Sequence, residues 1–243
     1  MVEADVRDLE DSSAKSKPQL PPGLPRPISE IPLQGIRKSI AGNMKNSLAN
    51  TAQLSYFLEV DVTESQNLRR AKGLGMAEVL IKATSEALVR IPVLNSVLGG
   101  DSILKFDRVN MAFAVALDDG LVVPVIRDTN AKTISEISGE IRNLSEAAKR
   151  GELGPDDFMG GTFTISILGS VDGFTPILNQ AQVGLLGVGR SLQKPVVRDG
   201  EVVVREMMTL SLTGDHQVVD GAMAASFFRR LQRLIESPSK LFA

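Results

Sequence analysis

The only histidine of the chain, His216, lies in the segment Gly-Asp-His-Gln-Val-Val-Asp-Gly, four residues before Asp220. An imidazole with an unperturbed pKa changes its charge between about pH 5 and 8, so His216 is the side chain best suited to proton transfer near neutral pH. The segment joins a predicted strand that ends at Thr213 to a predicted helix that begins near Gly221, and catalytic groups are common on such short connections. Two structural alternatives are open at this point: a histidine that packs at the end of the strand, and an aspartate that caps the helix.

The composition limits the classes of function. Hydrophobic residues make up 43% of the chain and charged residues 23%, which is typical of a globular protein with a sizeable core. A net charge of -2 with interspersed signs argues against nucleic acid or an anionic membrane as a partner. Because the chain has no cysteine and one histidine, it lacks a thiol nucleophile and the ligands of a structural zinc site, and we expect no metal. No apolar run reaches the roughly 18 residues of a membrane span, so we expect a cytoplasmic protein.

Proline separates the start of the chain from the rest, since six of the twelve prolines lie in residues 1–33. This composition predicts an extended linker. From residue 36 onward, apolar residues at helical spacing alternate with β-branched runs. The predicted helices are 37–48, 63–72, 76–90, 133–150 and 222–235, and the predicted strands are 54–62, 111–117, 121–126, 162–168, 183–188, 195–197 and 202–212. Strands separated by helices, with two hairpins among them, predict an α/β fold in which helices pack on a mixed β-sheet.

The motif Asp-His-x-x-x-Asp-Gly before an amphipathic helix resembles the active-site signature of the dihydrolipoamide acyltransferases, the core subunits of 2-oxo acid dehydrogenase complexes. Seven further segments are similar to that family: 31–41, 59–64, 91–95, 119–126, 160–166, 175–179 and 186–189. Together they extend the resemblance over residues 31 to 243. It implies a chloramphenicol acetyltransferase-like fold that assembles as trimers, with residues 34–243 as the acyltransferase catalytic domain.

The resemblance implies that His216 is a general base, which removes the proton of a thiol so that the sulfur attacks a thioester carbonyl. Reference values suit this role, because a thiol with a pKa of about 8.5 is mostly protonated at neutral pH and an imidazole with a pKa of about 6.5 accepts its proton. Attack on the thioester produces an oxyanion, and the resemblance assigns its hydrogen-bond donor to Ser166 at the end of an apolar strand. Without the resemblance, a hydroxyl satisfied by local backbone is the favoured interpretation of Ser166.

The same resemblance implies roles for two arginines. In the family, the carboxylate at the position of Asp220 pairs with an arginine of the first helix, here Arg37, and the pair holds the histidine loop in shape. Such a pair is expected to be partly buried, so that loss of one partner leaves the other charge buried and unpaired. Arg69 matches an arginine that binds coenzyme A in some members, and Ser166 faces the same substrate. Without the resemblance, we would interpret Arg37, which lies beside Lys38, as a solvated basic residue.

The substrates and partners are also implied by the resemblance. Coenzyme A is one substrate, and the other is the dihydrolipoyl group of a lipoyl domain that is absent from this chain. The expected assembly is a homotrimer in which the histidine of one subunit faces the serine of its neighbour. Trimers would build a larger hollow core that binds 2-oxo acid dehydrogenase and dihydrolipoamide dehydrogenase subunits.

The resemblance also leads to expectations for the two ends of the chain. Residues 1–33 resemble the tail of a peripheral-subunit-binding domain with the linker that follows it. We therefore expect a catalytic core cut from a longer protein, which in a eukaryote would lie in the mitochondrial matrix. The terminal pair Leu241 and Phe242 is expected either to enter an adjacent trimer or to fray.

The chain departs from the family pattern at four places: Gln217 replaces the usual arginine after the histidine, Ile167 replaces a commoner polar residue, the segment 169–174 is shortened, and residues 51–54 lack a histidine often found there. None of these changes removes a group that the proton transfer needs, but they leave the acyl group unassigned. Two other functions are open: a scaffold core in which catalysis has faded, and a thioesterase in which His216 activates water. A serine hydrolase is disfavoured because the chain lacks the Gly-x-Ser-x-Gly motif that presents a nucleophile.

Overall fold

The computed structural model describes residues 21–117 and 120–242, apart from the side chain of Ile36. The described residues fall into two units, one that ends at Gln34 and one that begins at Gly35. In the first unit, the described residues 21–34 are exposed and form no helix or strand. The interpretation of residues 1–33 as a linker stays a prediction.

Five helices and ten strands form the second unit within the described residues. The helices are α1 (Gly35–Asn50), α2 (Thr63–Ala71), α3 (Met76–Arg90), α4 (Ile134–Arg150) and α5 (Gly221–Glu236). The strands are β1 (Gln53–Asp61), β2 (Ser96–Gly99), β3 (Ser102–Lys105), β4 (Met111–Phe113), β5 (Val115–Leu117), β6 (Gly120–Val122), β7 (Val125–Ile126), β8 (Phe163–Ile167), β9 (Gly184–Arg198) and β10 (Glu201–Asp215). All five predicted helices are present, with ends within two residues of the prediction. In this part of the chain, no helix is long and apolar enough to cross a bilayer.

The main sheet has six strands in the spatial order β1-β10-β9-β8-β4-β7. Strand β8 runs parallel to both β9 and β4, whereas the other neighbouring strands are antiparallel. Strands β2 and β3 form one separate two-stranded sheet, and β5 and β6 form another. The predicted mixed sheet with packed helices is confirmed. The sequence analysis missed the hairpin of β2 and β3, whose turn contains Gly100 at a φ of 58°.

The two faces of the main sheet differ in polarity, because successive residues of a strand point to opposite faces. In β8, Phe163 and Ile165 are buried in the main hydrophobic core, so Thr164 and Ser166 point to the other face. Helices α3, α4 and α5 supply much of that core and therefore cover the face to which Phe163 and Ile165 point. Ser166 lies on the face that these three helices leave free.

The strand pair β9 and β10 is longer and more continuous than predicted, although its register shifts between Met208 and Leu210. The runs 183–188 and 195–197 belong to one strand of 15 residues, because most of the residues between them also pair with β10. The turn of this hairpin lies at Asp199 and Gly200, whose φ angles of 51° and 87° are those that the predicted Asp-Gly turn requires.

The predicted hairpin of 111–117 with 121–126 is interrupted. It forms two short pairings, β4 with β7 and β5 with β6. Pro124 has no N–H to donate to the ladder, and the N–H of Ala114 donates to Ile165 of β8 at 3.2 Å. Its predicted turn at Asp118 and Asp119 lies outside the described residues.

The C-terminal segment packs on its own chain. Leu241 is 4% exposed and belongs to the main core, and Phe242 packs partly buried against that core. The Nζ of Lys72 lies 5.9 Å from the centroid of the Phe242 ring. The expectation that these residues fray is therefore wrong, and their insertion into an adjacent trimer stays a prediction.

Candidate active site

His216 lies on a tight turn between β10 and α5. The N–H groups of Val218 and Val219 donate to the carbonyl of Asp215 at 2.9 and 2.8 Å, which closes the turn. Both valines are buried, whereas His216 is exposed. The N–H of His216 donates to the carbonyl of Ala52 at 2.8 Å, so the turn is also attached to the start of β1. An exposed imidazole is thus carried by a well-held backbone.

Asp215, the residue before the histidine, is the buried anchor of this turn. It is 2% exposed, and its Oδ1 accepts from the N–H of Ala52 at 3.0 Å and from the N–H of Gln217 at 3.1 Å. The Gln217 amide donates to both carboxylate oxygens and, at 3.1 Å, to the carbonyl of Asn50. Sequence reasoning did not single out Asp215, although an acidic residue directly before the only histidine was a visible signal.

Asp220 caps helix α5. Its Oδ1 accepts from the N–H of Met223 at 2.8 Å, so the structural alternative of a helix cap is confirmed for this residue. Burial and, to a lesser extent, the negative charge of Asp220 raise the pKa of Tyr56, the only tyrosine of the chain. Among the described residues, the buried Tyr56 hydroxyl has no hydrogen-bond partner.

The expected pair of Arg37 and Asp220 is not made within the described part of one chain. The histidine turn touches α1 at its C-terminal end, where Gln217 donates to Asn50. Arg37 is exposed and lies in the first turn of the same helix. At about 1.5 Å per residue, it is roughly 20 Å from Asn50 along the helix. The turn therefore packs against the opposite end of α1 from the one that carries Arg37.

Ser166 lines a cavity of about 480 Å³ on the free face of the sheet. Helix α1 contributes Ile40 and Met44 to its wall, and the segment after β8 contributes Phe174 and Ile177. A concave, mostly apolar cavity with few polar groups is the usual form of a small-molecule site. Within the described part of the chain, no protein group bonds to the Ser166 hydroxyl, so the alternative of a locally satisfied serine is not found.

A polar network holds one wall of this cavity. Thr164 Oγ1 donates to Gln182 Oε1 at 2.6 Å and accepts from Asn179 Nδ2 at 2.7 Å. Gln182 Nε2 in turn donates to the carbonyl of Gly161 at 2.9 Å. Thr164 and Gln182 are buried, so these bonds are protected from water. They join the segment that carries Asn179 to β8, two residues from Ser166.

His216 and Ser166 are not neighbours within one chain. Ser166 pairs with Gly187 of β9, and Gly187 pairs with Ser211 of β10, so these three residues lie side by side across the sheet. His216 follows Ser211 by five residues. With about 3.4 Å per residue along a strand and about 4.8 Å between strands, the Cα atoms of His216 and Ser166 are roughly 20 Å apart. The two side chains of one chain do not meet at one reacting group.

Arg69, the predicted coenzyme ligand, lies on α2 and does not line the Ser166 cavity. It is half-buried, and its Nε donates to Oε1 of Gln66 at 2.5 Å. Its Nη1 donates to the carbonyl of Leu74 at 3.2 Å, which closes the end of α2. A role in coenzyme binding stays a prediction. Across the described residues, no group of three or more acidic or histidine side chains is placed to hold a metal ion.

The sequence matches one family over residues 25–243, the catalytic domain of the 2-oxoacid dehydrogenases acyltransferases. The chain belongs to this family. One acyltransferase relative, the dihydrolipoyllysine-residue acetyltransferase component of the acetoin cleaving system of Bacillus subtilis, is 36% identical over 239 residues, which cover 93% of this chain and 60% of that protein. The dihydrolipoyllysine-residue succinyltransferase component of mitochondrial 2-oxoglutarate dehydrogenase complex 1 of Arabidopsis thaliana is 38% identical over 242 residues, which cover 94% and 51%. The chain thus spans between half and three fifths of these acyltransferase relatives.

Solved structures of the acyltransferase family share the fold. A dihydrolipoamide acetyltransferase of Azotobacter vinelandii has a TM-score of 0.85 and 34% identity, and the match covers 92% of this chain and 100% of that one. That structure belongs to an investigation of the role of a serine, a histidine and an asparagine in its catalytic mechanism. The cubic core of the pyruvate dehydrogenase multienzyme complex matches with the same TM-score, identity and coverage. A chloramphenicol acetyltransferase matches with a TM-score of 0.56, 19% identity and coverage of 80% and 94%, which confirms the predicted fold class.

Proposed function

We propose that this chain transfers an acyl group between coenzyme A and the dihydrolipoyl group of a separate lipoyl domain. One observation carries the proposal: an exposed histidine on a well-held turn occurs together with a serine that lines an apolar cavity and whose hydroxyl has no bonding partner among the described residues. Transfer from a thioester to a thiol needs a base for the attacking sulfur and a donor for the oxyanion. The names of the relatives, which are acetyl- and succinyltransferases of lipoyl groups, support the same reaction.

In this proposal His216 is the general base. Its neutral imidazole takes the proton of the attacking thiol, the new carbon–sulfur bond forms, and a tetrahedral oxyanion results. When the oxyanion collapses, the old carbon–sulfur bond breaks and the imidazolium returns the proton to the leaving thiolate. Proton transfer of this kind contributes roughly a hundredfold to ten-thousandfold in rate. The same histidine serves both directions of the transfer.

Ser166 donates the hydrogen bond that stabilises the oxyanion, and it also faces the coenzyme. The apolar lining of the cavity strengthens such a bond, because a low dielectric medium screens charge weakly. The Azotobacter relative supports both assignments, since its serine precedes its histidine by about fifty positions, as Ser166 precedes His216. Its asparagine follows the histidine by four positions, as Asp220 does here. Asparagine and aspartate are both strong helix caps, so we assign Asp220 the role of holding the histidine turn on α5.

The active site is proposed to form between two copies of the chain. The separation of roughly 20 Å between His216 and Ser166 of one chain supports a site in which each copy contributes one of the two groups. A homotrimer has three equivalent sites of this kind, because a cyclic arrangement repeats one heterologous contact. The cubic core formed by a relative supports a larger hollow assembly.

The remaining expectations extend this proposal to the whole protein. The lipoyl domain that carries the second substrate would belong to another part of a longer protein, joined through residues 1–33. The assembled core would bind 2-oxo acid dehydrogenase and dihydrolipoamide dehydrogenase subunits. It would act in the cytoplasm, or in the mitochondrial matrix in a eukaryote, as for the mitochondrial relative.

The first experiment measures transfer of acetyl, succinyl and isobutyryl groups from coenzyme A to free dihydrolipoamide by the wild type and by His216→Asn. We expect the variant to be slower by roughly a hundredfold to ten-thousandfold, because it lacks the base. Light scattering on both proteins provides the control for assembly. An assembled wild type without transfer to a thiol would leave the scaffold function, and acyl-CoA hydrolysis without an acceptor thiol would indicate a thioesterase.

A further inference from the structure

The turn that carries His216 is held by a set of hydrogen bonds that the proposed chemistry does not itself use. We call these hydrogen bonds the clamp. They join the side chains of Asp215 and Gln217 to backbone groups of Ala52 and Asn50. Asp215 is buried, and within the described part of the chain its carboxylate accepts hydrogen bonds from two backbone N–H groups and from the Gln217 amide. All these donors are neutral. A buried carboxylate held by neutral donors alone depends strongly on each of them.

The clamp connects the histidine turn to the helix that also borders the Ser166 cavity of the same chain. Asn50 is the last residue of α1, and the same helix contributes Ile40 and Met44 to the wall of the Ser166 cavity. The Gln217 amide lies between the Asp215 carboxylate and the Asn50 carbonyl, within 3.2 Å of both. One helix therefore borders the cavity at one part of its length and holds the histidine turn at its end.

We infer that Asp215 and Gln217 are positioning residues, which set the His216 imidazole relative to the thiol by fixing its turn to the end of α1. This inference rests on the proposed function, because it assigns a role in that reaction. Positioning has large effects on rate, since a displacement of about 1 Å at a reacting group costs about a hundredfold. Loss of the clamp should therefore reduce kcat while leaving substrate binding almost unchanged.

Gln217 is the position at which to test the clamp, because it is exposed and tolerates substitution without disturbing the core. Gln217→Leu removes the bridging donor, and we expect kcat to fall about tenfold with KM for both substrates within about twofold. Gln217→Glu places a second carboxylate against Asp215, and we expect a fall of about a hundredfold. Gln217→Arg keeps N–H donors for both acceptors and should recover most of the activity lost in the leucine variant.

A matched control is available at Gln193, an exposed glutamine on β9 at the opposite end of the strand pair. Gln193→Leu and Gln193→Glu make the same chemical changes away from the clamp, and both should keep the wild-type kcat. A second readout is the reaction of the only histidine with diethyl pyrocarbonate, followed by ultraviolet absorbance. We expect the rate of this reaction to differ from that of the wild type in the leucine and glutamate variants at position 217, because a released turn changes the surroundings of the imidazole.

The outcomes separate this inference from the proposed function. Assembled variants at position 217 with wild-type kcat and unchanged reactivity of His216 would overturn the clamp alone. Losses that appear mainly in KM, or equally in the arginine variant, would also overturn it, because they indicate a general structural role. A wild type that transfers no acyl group would reject the proposed function, and the reactivity of His216 would still show whether Gln217 holds the turn.

Discussion

The fold provides Ser166 and His216 in two different ways. Ser166 lies in a cavity whose walls come from its own chain, whereas His216 projects from a turn and does not line that cavity. A donor to an oxyanion needs low dielectric walls, and a base needs a fixed backbone together with room for the thiol. The chain therefore carries two half-sites, a cavity half-site at Ser166 and an open half-site at His216, and we infer that each is completed by a second copy.

The most demanding test of this comparison mixes two inactive variants. His216→Asn removes the base of the open half-site and Ser166→Ala the donor of the cavity half-site, and alone each should lower transfer by at least about a hundredfold. If the site forms between neighbours in a trimer, random mixed assembly pairs an intact histidine with an intact serine in about a quarter of the sites. Co-expressed or co-refolded variants should thus recover about a quarter of the wild-type rate.

The control for this test is to mix the two variants after each has assembled. Stable trimers do not exchange subunits quickly, so activity should stay low until the mixture is unfolded and refolded. Transfer that does not recover in a verified mixed assembly would mean that both groups act within one chain. That result would require a rearrangement of roughly 20 Å between His216 and Ser166.

A smaller effect is expected at Asp220, which ends the open half-site. Asp220→Ala removes the cap of α5 and should lower the free energy of unfolding by about 1 kcal/mol, whereas Asp220→Asn keeps a capping oxygen and should cost much less. Both variants remove the negative charge near Tyr56, so the pKa of this tyrosine should fall toward its ordinary value, although burial, the larger cause, still holds it above. Urea unfolding measures the first effect, and ultraviolet titration of the only tyrosine measures the second. A Tyr56 pKa that does not move would show that burial alone raises it.

Local signals explain why most of the fold could be predicted from the sequence. Thr133 and Glu136 form the capping box that begins α4, and Gly151, at a φ of 68°, ends it. The sequence signal for the turn at Asp199 and Gly200 is equally local, because it depends on these two residues. Each of these features depends on a few adjacent residues, so the sequence pattern was sufficient.

The site was less predictable because it depends on contacts between distant parts of the chain. The contact of Gln217 with Asn50 joins residues 167 positions apart and decides which end of α1 the histidine turn meets. The periodicity of the sequence does not contain that information, and the expected Arg37–Asp220 pair is not made within the described part of one chain. Asp215 was overlooked in a similar way, since its importance comes from burial and from the N–H of Ala52, the residue before β1.

The opposite end of β1 provides a contrast to the clamp. The strand begins beside the histidine turn and ends at Asp61, which accepts from the N–H of Thr63 at 3.0 Å and lies 3.3 and 3.2 Å from Arg198 and Arg205. Burial of Asp61 opposes its ionisation, but the hydrogen bonds from Thr63 and the charges of the two arginines outweigh it and lower the pKa of this carboxyl. The ionised group should therefore contribute to stability and not to transfer.

The last prediction is how the contribution of Asp61 to the free energy of unfolding changes with pH. Because the pKa of Asp61 is lower in the folded than in the unfolded chain, its contribution is fully present above the unfolded value of about 4 and is lost as the pH falls through the folded value. We expect Asp61→Asn to reduce the free energy of unfolding by about 0.5 kcal/mol at neutral pH, and the difference from wild type to shrink below about pH 4. Urea unfolding at several pH values and matched protein concentration tests this. The transfer rate of Asp61→Asn should stay at the wild-type value. A loss of transfer would mean that a change at this end of β1 disturbs the histidine turn at the other end, so the two ends would not be independent.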